Sequence, residues 1–224
     1  MSTKSNVLAA AAMVTMAGGL CTVGTPPASA ATPQCGPHCI QIFSAKFGPP
    51  EQPRFVESVF RGIAAPGVPT GLRRVSGNNP AGDMIVGRAG KVSDFYAAGM
   101  VSTAVNNHYG NLSAVQIGYA PRGKATGLCA ALATTAYQNE RLTLQPCSTP
   151  GTTVFIIDTA DSPATAPTYF PIVNASTTDF AHPFAMTIGG NPAHERFLPI
   201  RVRHLIGNPH HVPENQLWGS VLLN

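Results

Sequence analysis

The residues of this chain best equipped for chemistry are its cysteines, two histidine-bearing clusters and ten scattered acids. Beyond residue 30 the cysteines are Cys35, Cys39, Cys129 and Cys147. Cys35-x-x-x-Cys39, with His38 inside, has the look of half a zinc site, but no second pair has ligand spacing. An even count in an exported chain implies two disulfides instead, with three pairings open. Proximity in sequence favours Cys35–Cys39 and Cys129–Cys147. The second bridge would close a loop of about 19 residues and stabilise by about 3 kcal/mol through chain entropy.

The remaining groups form no catalytic constellation. There is no Gly-x-Ser-x-Gly elbow. His194-Glu195 lacks the second histidine of a zinc protease helix, because Leu198 stands in its place. No spacing among the ten acids favours a carboxylate pair for glycoside cleavage. Asn208-Pro-His210-His211-Val-Pro-Glu214 could bind a metal or titrate near neutral pH, but its flanking prolines favour a solvated loop. Asn107, His108, Tyr109 and Tyr119 could rim a groove or simply pack at strand ends. The expectation is a non-enzyme with no cofactor and no metal.

The elements that would position these groups are short. Pro 21 and Gly 22 give many turns, and a 44% apolar fraction with only 11% charged residues supplies a core. Pro53 to Ile63 has the spacing of a helix, with Phe55, Val56, Val59, Phe60 and Ile63 inward and Arg54, Glu57, Ser58 and Arg61 outward. Val92 to Val105 fits a helix after Ser93 or a strand pair broken at Gly99, and strand is favoured. Ile40–Phe43, Leu72–Val75, Met84–Val86, Ala114–Tyr119, Leu128–Leu132, Arg141–Leu144, Val154–Ile157, Phe184–Ile188, Ile200–Leu205 and Trp218–Leu223 read as strands. Alternation in Leu142/Leu144 and Phe184/Met186/Ile188 is the mark of antiparallel sheet with one buried face. Three faintly similar segments start at Gly71, Ala114 and Tyr169, with a period of about 50 residues.

Residues 1–30 read as a secretory signal peptide: Lys4, an apolar run over Val7–Leu20 of about 14 residues, and Ala28-Ser29-Ala30 before the cleavage point. The net charge of +4 is spread thinly, with only Arg73-Arg74 and Arg201/Arg203 close together, which argues against a nucleic-acid partner. The Ala-rich leader and low Lys look bacterial, so Asn111-Leu-Ser113 and Asn174-Ala-Ser176 read as turns rather than glycosylation sites.

Gly127-Leu-Cys129, the spacing to Cys147 in Leu-Gln-Pro-Cys147, and Val154-Phe155-Ile-Ile-Asp158 resemble one repeat of a ricin-type β-trefoil lectin. Asn215-Gln216-Leu217-Trp218 carries that family's closing Gln-x-Trp motif. The resemblance spans Ala114 to Asp158 best, is weaker over Tyr169 to Asn224 and fainter over Gly71 to Gly110, and leaves Ala31 to Pro69 without a counterpart. It implies an all-β protein, a β-trefoil with a short N-terminal extension and helix: a signal peptide over 1–30, the extension over 31–70 and the trefoil-like domain over 71–224. It also implies that Trp218 fills the shared centre, or alternatively stacks on a sugar ring, while Gln216 satisfies backbone groups. The family's sugar-binding carboxylate falls near Ala131 here, and Val75 and Thr187 supply no acid in the other segments, so a charged acceptor is missing. The expected function is that of a secreted, extracellular, non-catalytic binding protein. Gln216, Trp218, Asn215 and Tyr109 are the candidate ligand-binding residues, and the partner is a glycan or an extracellular protein. No nucleic acid is expected, and no membrane after signal cleavage. The alternative is a protein-binding or protease-inhibitor-type trefoil engaging a partner through loops such as Ala160–Pro167 or Gly207–Asn215.

Overall fold

Short apolar strings punctuated by glycine and proline fold into strands whose hydrogen bonds must be met by neighbours far off in sequence. The computed structural model describes residues 39–48, 54–75, 82–206 and 211–223. They form an all-β body around a nearly closed, barrel-like sheet. The strands are β1 (Cys39–Ser44), β2 (Phe55–Val59), β3 (Thr70–Arg74), β4 (Met84–Lys91), β5 (Ser113–Tyr119), β6 (Leu128–Ala131), β7 (Thr143–Pro146), β8 (Phe155–Ile157), β9 (Ile172–Asn174), β10 (Phe184–Ile188), β11 (Phe197–His204) and β12 (Trp218–Leu223). Neighbours run β12-β1-β4-β5-β8-β9. The ring closes where Phe170 and Trp218 exchange backbone hydrogen bonds of 3.0 and 2.9 Å. Three hairpins, β2–β3, β6–β7 and β10–β11, complete the sheet. Their second strands meet one another: β3 pairs with β11, Pro69 bridges to Thr143, and Arg141 bridges to Arg201.

The signal peptide reading and the Cys35–Cys39 pairing lie outside the described residues. The Cys129–Cys147 disulfide is formed and ties β6 to the residue after β7. Beside it the Cys147 N–H donates to the Gly127 carbonyl at 3.0 Å. Both strands are short, and the bridge locks their register where few ladder bonds could.

Two expectations are corrected. The helix expected from Pro53 to Ile63 is strand β2, paired with β3 from Phe55↔Arg74 to Val59↔Thr70. Glu57 and Ser58, expected outward, are buried, whereas Phe60 and Ile63, expected inward, are exposed. A five-residue apolar set satisfies the helical and the extended period about equally, and a strand buried along its whole length has no polar face to settle it. Arg61, with φ 55°, then turns the chain in the left-handed region. The strand reading of Val92 to Val105 is also wrong. Two short helices occupy it, α1 (Val92–Ala97) and α2 (Thr103–Tyr109), separated at Gly99 (φ 71°). Asp94 accepts the Lys91 N–H at 2.8 Å at the start of α1, and Ser102 Oγ accepts the Val105 N–H at 3.2 Å at the start of α2.

Strand alternation sorts the core into two layers. Ile42, Ile117, Tyr119, Phe155, Ile172, Met186 and Trp218 point into the barrel. Ala114, Ile156, Val173 and Ala185, one step out of phase, point away from it and are covered by Val92, Phe95, Val105 and Tyr109 of the helical insertion. Strands β8 and β9 are therefore apolar on both faces. Asn174 ends β9 fully buried, its amide donating to Thr152 O at 2.9 Å and its carbonyl accepting from Ser176. This supports reading Asn174-Ala-Ser176 as a turn.

Candidate binding cleft

Helix α2 is the rear wall of a cleft of about 570 Å³. Val105 and Tyr109, four residues apart, face the barrel wall and anchor the helix. Asn106, Asn107 and His108 face the cleft. Gly110 ends the helix so close to the Asn106 carbonyl that a Cβ there would collide with it.

Two loops form the other walls. After β8, Asp158 begins the single turn Thr159–Asp161, and both aspartates line the cleft. After β9, Asp179 Oδ1 accepts the N–H groups of Ala181 and His182, each at 3.0 Å. That tight turn presents Phe180. Its ring stacks on His108 at 4.9 Å between centroids with planes 29° apart, and it lies 6.0 Å from Tyr109.

The electrostatics of the cleft are acidic. Burial, reinforced by Asp158, Asp161 and Asp179, pushes the Tyr109 hydroxyl pKa well above its ordinary value. Asp158 is only 4% exposed. Burial and the nearby Asp161 push its pKa up, while backbone N–H groups of Asp161 and Ala160 and the field of His108 pull it down. Asp179 is held below the usual carboxylate range, first by the His182 N–H. No Lys or Arg is among the lining residues. Among the described residues no group of three or more His, Cys, Asp or Glu is placed to hold a metal ion. Flat apolar faces beside carboxylates and amides are what a polyol needs: its C–H face stacks, and its hydroxyls donate to the acids.

Of the sequence candidates, Tyr109 lines this cleft together with Asn107 and His108. Tyr119 does not; it is buried, and its hydroxyl donates to Gly62 O at 3.0 Å. Trp218 is fully buried, its indole N–H donating to Met186 O at 2.8 Å. It presents no face to a ligand. Gln216 is buried beside it. Its amide N–H groups donate to Thr187 Oγ1 and His204 O at 3.0 Å each, and its carbonyl accepts the Ile206 N–H at 3.0 Å. Asn215 stands half-buried in the turn Glu214–Gln216. Ala131, where the family's acid would stand, is fully buried in β6. Sequence reasoning missed Asp158, Asp161, Asn106 and Phe180. Asn106 sits four residues before Gly110 on α2 and was findable only once α2 was known to be a helix.

A second depression, about 430 Å³, is lined by Arg73, Arg74, His194, Glu195 and Arg196. Its arginines engage carbonyls: Arg73 donates to Arg74 O at 3.1 Å and Arg74 to Pro192 O at 3.5 Å.

No protein-family model matches the chain, and no curated protein is similar to it.

Proposed function

We propose that the protein is an exported, non-catalytic carbohydrate-binding module on a β-trefoil of ricin-type lineage, with its glycan in the cleft between α2 and the loops carrying Asp158 and Phe180. The observation that carries this reading is the cleft itself: aromatic rings, carboxylates and amides converge on one space of about 570 Å³. They do so although the lectin family's own acidic position is Ala131.

Strand pairing supports the trefoil. Six strands make the ring and three hairpins meet at their second strands. The first unit then begins at β1, so Cys39–Val59 belongs to it. The roles of Gln216 and Trp218 support the lineage, since one caps backbone groups and the other fills the centre. The Cys129–Cys147 bridge is compatible with export.

A glycan array probed with the disulfide-bonded protein tests the reading, followed by NMR titration of the best ligand. The expected result is selective binding with shifts concentrated at residues 106–111, 158–161 and 180–183. Absence of any glycan binding, or shifts confined to the loop Ala160–Pro167 with a protein ligand, would favour the inhibitor-type alternative. That loop exposes Ala160, Ala164, Thr165 and Pro167 to solvent.

A further inference from the structure

We infer that the cleft selects a cationic sugar, a glycan whose units carry a free, protonated amino group such as de-N-acetylated glucosamine. This rests on the carbohydrate reading and specifies its substrate class.

Charge sets the cleft apart from the rest of the molecule. The chain carries 14 Lys and Arg against 10 acids. Around this cleft the sign reverses. Asp158 and Asp161 line it, Asp179 adds to the same field at Tyr109, and no Lys or Arg contributes to the walls.

Asp158 carries most weight. It is more than nine-tenths buried and belongs to the cleft wall. Only backbone N–H groups and the imidazole of His108 act in favour of its charge. A carboxylate out of bulk water without a full counter-ion is costly, and an incoming ammonium would supply that ion.

The aromatic groups are of a kind that suits the same ligand. Half-buried Phe180, stacked with the exposed His108, offers a ring face to the C–H side of a sugar, and ring faces attract cations as well. A neutral N-acetylated unit would use the ring faces but not the charge. An anionic unit such as a uronic acid would be repelled.

Isothermal titration calorimetry on the disulfide-bonded protein separates these cases. Three tetramers are compared at about pH 5.5, where such amines, weakened by the neighbouring oxygens, stay largely protonated and ordinary carboxylates ionised. They are a glucosamine tetramer, its N-acetylated counterpart and a neutral glucose tetramer. The expected result is that the glucosamine tetramer binds tighter than either by about tenfold, an advantage that shrinks with salt. Asp161→Asn, at a half-exposed position where folding is not at risk, should weaken the glucosamine tetramer more than its N-acetylated counterpart and so cut that advantage by about threefold. Equal or tighter binding of the N-acetylated or glucose tetramer would overturn the inference and leave the carbohydrate reading standing. Binding of spermidine with no tetramer bound would overturn both.

Discussion

Two acids buried in this protein face opposite fates. Asp158, on the wall of the cleft, is 4% exposed. Glu57, in the β2–β3 hairpin on the arginine-lined side, is 1% exposed, and neither of its carboxyl oxygens has a hydrogen-bond partner. Gly82, at φ 80°, lies against the Glu57 carbonyl with no room for a Cβ and helps seal that strand. Burial alone pushes the Glu57 carboxyl up to about 8. The difference is access. A sealed acid can respond only by holding its proton, whereas an acid on a cleft wall can be met by a ligand. The arginines repeat the lesson from the other side. Those of the groove spend their donors on carbonyls of Arg74 and Pro192 and hold chain segments together. No Lys or Arg lines the cleft, where only histidines stand near the acids: His182 lies 3.6 Å from Asp179, and the field of His108 acts on Asp158.

The sharpest way to break the comparison is through Glu57. Its folded pKa lies above the unfolded value of about 4.5, so the unfolded chain releases its proton first as pH rises. Stability is therefore fully present below about pH 4.5 and falls between there and pH 8, by as much as about 4 kcal/mol. Urea unfolding across that range should show the decline, and Glu57→Gln should flatten it. A slope unchanged by the substitution would mean that the carboxyl is not sealed.

Phe95→Ala comes next. Phe95 is fully buried where α1 meets the barrel wall. Truncation should cost about 3 kcal/mol and loosen the insertion that carries α2. Hydrogen exchange should accelerate at residues 92–112 while β6, β7, β10 and β11 stay protected. Uniform acceleration would make the insertion and barrel one cooperative unit.

The smallest effect belongs to Arg74→Ala. Arg74 is exposed, lies 5.7 Å over the Phe55 ring and holds Pro192 O through a long hydrogen bond. Its loss should cost under about 1 kcal/mol in chemical denaturation and leave glycan affinity unchanged. A large affinity loss would move the binding site to the groove.

Much of the barrel was legible before folding. Phe184, Met186 and Ile188 alternate because one face of β10 meets the centre and the other meets the insertion, and both ends of β10 fall where the alternation stops. Strand β9 went unread. Ile172-Val-Asn174 is three residues long, buried on both faces, and offers no period to count. The segment Val92 to Val105 misled because its apolar residues serve two short helices with a glycine break, each too short to establish its own pattern. Tyr109, His108 and Asn107 were found because they are adjacent in sequence. Phe180 and Asp158 were not, because 22 residues and strand β9 separate two positions that only folding brings together beside α2.

By itself, the order of residues determined the strand-rich character, the Cys129–Cys147 bridge and the inward place of Trp218. Each depends on local period, chain proximity or the size of one side chain. Tertiary structure alone decided that Phe55–Val59 is extended, that Ala114, Ile156 and Val173 face a helical cover, and that three aspartates from two separate loops share one field. Burial is a property of what a residue ends up against, and its partners here stand tens of residues away along the chain.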